Sequence, residues 1–272
     1  MSARPQPPLR RMKPLLGTFV EIGVFEPVAG SMAAIDAAFA EITAYERAAS
    51  FQDPDSDLSR LNRSAGGMVP LGPRVLRALR LARAMMIASG GSFDCTRGGA
   101  LVARGRLPDH GGALLERGEA ADIEPLRGGA RLRRPVRITL DGLAKGLAVD
   151  AGVAVLRRLG ARRAWINAGG DLRVTGGRAL PVQLRGTDRV LMLSEAALAS
   201  SASSATWDAT TPGEIIGANG IAQGHWSVLA ARAWRADALT KVAALASADT
   251  RATVLARLGG RLIDAAETGR AA

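Results

Sequence analysis

Residues 136–150 read Val-Arg-Ile-Thr-Leu-Asp-Gly-Leu-Ala-Lys-Gly-Leu-Ala-Val-Asp. Val136, Ile138 and Leu140 alternate with Arg137 and Thr139, the period-two pattern of a strand with one buried face. The pattern breaks at Asp141-Gly142, after which Leu143, Leu147 and Val153 continue at roughly helical spacing. The stretch therefore predicts a strand, a tight glycine turn and a helix. Such a junction turns backbone N–H groups toward one point at the positive end of a helix dipole, which favours phosphate or another anion. Lys145 stands in that turn. The same junction is plain scaffold in many α/β proteins, and this one matches neither G-x-x-x-x-G-K-[ST] nor G-x-G-x-x-G. A second stretch, Trp-Ile-Asn-Ala-Gly-Gly-Asp at 165–171, sets Asn167, two glycines and Asp171 at a strand end.

Working outward, the chain has 272 residues, of which 47% are hydrophobic, enough for one large domain or two small ones. Its net charge of +11 favours an anionic partner through long-range attraction. The arginines are scattered, however, and five Phe and one Tyr leave few rings for base stacking, which argues against nucleic acid. Of 36 basic residues only Lys13, Lys145 and Lys241 are lysines. A single cysteine, Cys95, excludes an internal disulfide and any multi-cysteine metal site. Residues 1–17 carry positive charge without an apolar run of signal-peptide length, and no stretch approaches 18 uninterrupted apolar residues. The expectation is a cytoplasmic chain with no membrane span, or a periplasmic one if a leader has been removed.

The rest of the chain supplies scaffold. Thr18 to Phe25 alternates as a strand, and Ser31 can cap a helix carrying Ile35, Phe39, Ile42 and Tyr45. Residues 50–62, rich in Asp and Ser around Pro54, read as a polar loop. A helix from Pro73 to the stop at Ser89-Gly90-Gly91 follows. Four glycines then surround Phe93, Asp94 and Thr96, a density that lets backbone approach a ligand. Residues 102–134 read as long loops with short elements, and 180–200 as short strands with turns near Gly186 and Glu195. Residues 226–231 read as a strand feeding Ala236 to Lys241 and a helix beyond, and a last helix closes at Gly259-Gly260. The fold class is α+β: a flexible segment over 1–14 and one domain over 15–272, with mixed or antiparallel sheets, packed helices and two lobes with the site between them.

Six motifs in fixed order now resemble one family, the ApbE-type FAD:protein FMN transferases. They are Leu16-Gly17-Thr18 for M-G-T, and Asp55-Ser56-Asp57-Leu58-Ser59-Arg60-Leu61-Asn62 for D-S-E-L-S-R-x-N. Gly91-Ser92-Phe93-Asp94-Cys95-Thr96 stands for G-x-F-D-x-T, and Gly142-Leu143-Ala144-Lys145-Gly146 with Asp150 for G-I-A-K-G-x-x-x-D. Asn167 to Asp171 gives N-A-G-G-D, and Ala236-Asp237-Ala238-Leu239 gives A-D-A-L. Each motif is weak by itself; the order is specific.

The resemblance implies a T-fold-related domain that moves FMN from FAD to a Thr or Ser hydroxyl of an acceptor flavoprotein bearing a target motif, releasing AMP. It places Leu16, Gln52, Ser92, Phe93, Asp94, Thr139, Lys145 and Ile216 around the flavin nucleotide. It assigns Mg²⁺ to the Gly142 carbonyl, Asp237 and Thr240, and catalysis to Asp237, Lys145 and Asp171, with Glu214 a further proton acceptor. Mg²⁺ suits such a site because a hard cation takes few protein oxygens and completes its shell with phosphate. The departures fall on the metal and acceptor side. Lys241 stands where a Thr ligand is usual, Glu214-Ile215-Ile216-Gly217-Ala218 lacks the family's His, and Thr139 replaces an Asp. These departures keep a second reading open, an FAD-binding paralogue with little or no transfer that serves as flavin carrier or accessory factor.

Overall fold

The computed structural model describes residues 6–64, 66–112, 114–184, 187–204, 213–217 and 220–263. In chain order the elements are β1 (Leu9–Leu15), β2 (Thr18–Val24), α1 (Ser31–Ala49), α2 (Asp57–Arg63), β3 (Val69–Pro70), α3 (Pro73–Ala88), α4 (Gly98–Ala103), β4 (Ile123–Leu126), β5 (Gly129–Leu132) and α5 (Ala144–Arg158). Then come β6 (Ala164–Ala168), β7 (Asp171–Thr175), β8 (Leu180–Gln183), β9 (Val190–Leu193), β10 (Ala197–Ser203), β11 (Ile216–Gly217), β12 (Gly220–Ile221), β13 (Gly224–Ala230), α6 (Ala233–Leu245), α7 (Ala248–Arg257) and β14 (Gly260–Leu262). They form two compact units, one of residues 1–43, 145–215 and 221–272, the other of 44–144 and 216–220. This is the mixed α and β architecture with antiparallel sheets that the sequence predicts.

The first unit is built on a seven-stranded sheet in the order β1-β2-β6-β7-β10-β13-β14, with every neighbour antiparallel. Alternation gives it two dissimilar faces. Trp165, Leu172, Val174 and Leu198 point into an apolar cluster completed by Phe25, Leu184, Leu191, Leu193 and Ile263. Ile166, Arg173 and Ser201 point the other way, toward α5 and α6. There Gly152 of α5 lies where a Cβ would meet the side chains of Ile166 and Ile42 at about 3 Å. Two hairpins end in two-residue turns with both residues at positive φ, Leu16-Gly17 (58° and 67°) and Gly169-Gly170 (62° and 107°). That is the geometry matched to the right-handed twist of strands. Gly169 also has no room for a Cβ, which would sit 2.5 Å from Thr18 Oγ1.

The second unit pairs β3, β5 and β4 antiparallel and buries Leu58, Leu61, Leu79, Ile123, Leu132, Ile138, Leu140 and Leu143. Here the expected strand over 136–140 does not form. Val136 and Arg137 make isolated bridges to Leu115 and Arg97, and both faces of the stretch are buried, Arg137 and Thr139 included. In place of a neighbouring strand, the Asn62 side chain donates to Ile138 O (2.8 Å) and accepts from Ile138 N–H (2.7 Å). Arg137 in turn donates to the carbonyls of Asn62 and Gly111. Removing the amide leaves two buried backbone groups unpaired, each costing about 1–3 kcal/mol. Asn62→Ala is therefore expected to lower the unfolding free energy in urea by several times what Asn62→Gln loses, and equal losses would show the pairing to be dispensable.

Two further expectations are corrected. Residues 9–14, read as part of a flexible segment, belong to β1, whose Leu9, Arg11, Lys13 and Leu15 are half-buried while Arg10, Met12 and Pro14 face solvent. Charged residues that stay partly wet on an edge strand hide its alternation. Residues 57–62, read as part of a loop, belong to α2, because Ser56 acts as an N-cap and accepts from Ser59 N–H at 2.9 Å. The Asp141-Gly142 turn forms as expected, with Leu140 O accepting from Leu143 and Ala144. Gly186 and Ala218 lie outside the described residues. No helix among the described residues is long and apolar enough to cross a membrane.

Candidate active site

Helices α5 and α6 are fastened to one another at a single crossing. A Cβ on Gly146 would stand 2.5 Å from Ala233 O and Trp234 Cα, so only glycine lets the first turn of α6 come this close. One turn further along the same face, the Asp150 carboxylate accepts the N–H groups of Ala233 (3.2 Å) and Trp234 (3.1 Å) and pairs with Arg173 of β7. These N–H groups open α6 and have no partner inside the helix. The Gly-x-x-x-Asp spacing thus has a mechanical content: it sets the position and direction of α6.

So anchored, α6 presents Asp237, with 1% of its side chain exposed. One carboxylate oxygen accepts from Gly146 N–H at 3.3 Å, and the other receives Lys241 Nζ at 2.5 Å. Lys241 lies one turn on, on the same face. Its ammonium also donates to Ser201 Oγ of β10 (3.1 Å) and to Asp237 O (3.3 Å). Thr240 is fully buried; its hydroxyl donates to Asp237 O (2.7 Å) and shares a hydrogen bond with Ser201 Oγ (2.7 Å).

Asp171 follows directly on the Gly169-Gly170 turn, which Asn167 closes by accepting from Gly170 N–H at 3.0 Å. Its carboxylate is buried, with Lys145 Nζ 3.8 Å away. Burial pushes its pKa up to about 7, the nearby charge of Asp237 adds to the rise, and Lys145 and Lys241 oppose it. A carboxyl group that titrates near neutrality can take up a proton where an ordinary aspartate cannot. The cluster therefore balances two carboxylates, Asp171 and Asp237, against two ammonium groups, Lys145 and Lys241.

In the second unit, Asp94 closes its own loop. One oxygen accepts from Thr96 N–H (2.9 Å) and Thr96 Oγ1 (2.5 Å), and the other meets Arg117 Nε (3.0 Å) and Arg97 Nε (3.2 Å). Those two arginines, with Arg104, Glu116 and Ile216, line a cavity of about 440 Å³. Such a volume suits a small molecule, and Asp94 already pairs with two of the arginines that line it. Gly98 and Gly99 hold this loop against its neighbours, since a Cβ on either would stand 2.6 Å from Arg137 O or 2.0 Å from Leu115 O. Phe51 stacks on His110, whose Nε2 lies 2.8 Å from Phe51 O.

The sequence pattern of the ApbE family matches residues 16–262. The chain belongs to the ApbE family. Solved structures of the family share its fold. The apo flavinyl transferase ApbE of Pseudomonas stutzeri superposes with a TM-score of 0.78 at 17% identity, over 94% of this chain and 92% of that one. The ApbE protein of Thermotoga maritima gives 0.78 at 18%, over 94% and 93%. The flavin transferase ApbE of Vibrio cholerae gives 0.75 at 18%, over 91% and 90%. No curated relative matches the chain in sequence.

Within this ApbE-family chain, Lys145, Asp171, Asp237 and Thr240 gather on the first unit, to which Leu16 also belongs. Leu16 has φ 58°, a conformation that costs a residue with a side chain about 1–3 kcal/mol and so draws attention to the turn. Gln52, Ser92, Phe93, Asp94, Thr139, Gly142 and Ile216 belong to the second unit. Gln52 is exposed, Ser92 half-buried and Phe93 buried. Thr139 donates its hydroxyl proton to Asp141 Oδ2 at 2.9 Å.

The donors around Asp237 do not fit Mg²⁺. Both of its oxygens are engaged, one by an ammonium, and the Thr240 hydroxyl is turned into the helix and toward β10. Among the described residues no cluster of three or more His, Cys, Asp or Glu offers a metal site.

Sequence reasoning missed Ser201 and the Asp150–Arg173 pair. A charged residue inside the buried strand Asp-Leu-Arg-Val-Thr was the available signal for Arg173. Ser201, one of several small polar residues in β10, gave none.

Proposed function

We propose that this chain is an FAD:protein FMN transferase whose chemistry is carried by the Asp171, Lys145, Asp237 and Lys241 cluster. The single observation that carries the reading is the geometry of the cluster, in which the buried carboxyl groups of Asp171 and Asp237 each stand beside a lysine ammonium group. In the transfer, the acceptor's Thr or Ser oxygen bonds to the phosphorus of the FMN half of FAD. The bond from that phosphorus to the bridging oxygen breaks, and AMP leaves with the electron pair. Asp171 takes the hydroxyl proton, and its raised pKa makes it basic enough to do so and still ionised in part at neutral pH. Lys145 offers a positive charge to the phosphate oxygens, where charge grows in the transition state. Mg²⁺, which the family resemblance implies, finds no fitting donors in Asp237 and Thr240 among the described residues, and no step uses it.

The family membership supports this reading, as do the flavin transferase structures that share the fold. One observation favours the second reading, a flavin carrier with little transfer: Asp237 is already closed by Lys241. Flavin fluorescence titration separates a diphosphate site from a plain ring pocket. FAD is expected to bind at least about tenfold more tightly than riboflavin, the worth of one charge-assisted hydrogen bond. Equal affinities would remove the diphosphate from the account.

A further inference from the structure

We propose that the Lys241 ammonium is a built-in cation of this site, standing at Asp237 in place of a divalent ion, so that FAD is bound without one. The inference rests on the flavin-nucleotide reading above and deepens it.

Asp237 is almost wholly buried, and a buried carboxylate needs a counter-charge whatever else is bound. Helix geometry supplies one, since position i+4 of α6 lies over position i. Lys241 Nζ reaches Asp237 Oδ1 at 2.5 Å and is steadied by Ser201 Oγ and Asp237 O. Asp237 Oδ2 is meanwhile turned to Gly146 N–H. An ammonium has three donors and no acceptor, so it cannot ligate a metal, and its charge repels one from the same carboxylate. The neighbouring pair repeats the arrangement, with Lys145 beside Asp171. Asp237 thus has its counter-charge from a covalently attached group. Lys241 is also open on one side, with 20% of its side chain exposed, so its charge remains available to an anionic ligand. Coulomb attraction at such a partly screened position needs no direct hydrogen bond.

The test uses Mn²⁺ as the metal probe, read by the loss of its free EPR signal, and FAD binding read by flavin fluorescence in EDTA and in Mg²⁺. The native chain is expected to take up no stoichiometric Mn²⁺ and to bind FAD equally, within about twofold, in both solutions. Lys241→Thr replaces the ammonium by a hydroxyl oxygen. It is expected to bind FAD about tenfold or more weakly in EDTA, to recover in Mn²⁺, and to take up one Mn²⁺. Lys241→Arg keeps the charge and is expected to remain free of Mn²⁺, which guards against a folding defect in the threonine variant. Stoichiometric Mn²⁺ uptake by the native chain, or loss of its FAD binding in EDTA, would overturn the proposal. If no variant bound FAD in any solution, the flavin reading would fail by itself, and Mn²⁺ uptake by native chain and threonine variant would still decide the role of Lys241.

Discussion

Asp150→Ala is expected to lose about 3–5 kcal/mol of unfolding free energy, the usual loss when one member of a buried ion pair is removed. The Arg173 guanidinium, 7% exposed, would remain in the sheet with no counter-charge from Asp150. The first two N–H groups of α6 would lose their acceptor at the same time. Because α6 carries Asp237, Thr240 and Lys241, the loss should extend from stability to function. FAD affinity in Asp150→Ala should fall even at temperatures where the variant stays folded. Asp150→Asn keeps an acceptor for the helix and gives up the charge, and is expected to fall between the two. Urea denaturation checks the series. A loss below 1 kcal/mol for the alanine variant would mean that α6 is held in place by its apolar packing, and that the Gly-x-x-x-Asp motif has some other purpose.

Asp171→Asn is expected to lower the rate of flavin transfer by about 10²–10⁴-fold, the range over which a positioned general base acts. In the native protein the rate should rise with pH up to about 7, where the Asp171 carboxyl loses its proton, and this limb should vanish in the variant. Stability moves in the opposite sense. An unfolded aspartate releases its proton near pH 4, whereas the folded one holds it until about pH 7. Between those values the folded state binds more protons, so its stability falls as pH rises and stays reduced above pH 7. Asp171→Asn removes that loss and should melt higher than the native chain at pH 8, with little difference at pH 4. A variant less stable at pH 8 would show that the ionised Asp171 is fully compensated by Lys145 and Lys241.

Periodicity in the sequence accounts for much of this fold. Alternation in residues 18–25 marks β2, residues 226–231 read as the strand that is β13, and the paired glycines at 169–170 read as the strand end beside Asp171, which the structure makes a hairpin. It failed where a long-range side chain took over a backbone's work. Residues 136–140 alternate like a strand, yet their polar members are buried and their central peptide is satisfied by Asn62, 76 positions upstream. Nothing local in the sequence announces that. The polar run ending in Asn62 hid α2 because Asp and Ser serve turns and helix caps alike. The site divides in the same manner. Asp171, Asp237 and Lys145 stand in motifs of the ApbE family, and Lys241 is visible as a lysine four residues after an aspartate. Asp94, also in a motif, acts on its own loop and on two cavity arginines, a role that short motifs do not reveal. Ser201 became visible only when β10 was laid beside α6.

The most direct measurement is intact mass of an acceptor domain carrying a Thr or Ser target motif after incubation with the protein and FAD. The account predicts a gain of the mass of FMN on that hydroxyl, matched by AMP in equal amount and greatly slowed in Asp171→Asn. An acceptor of unchanged mass, beside a protein that carries FAD intact through gel filtration, would contradict it and leave a flavin carrier.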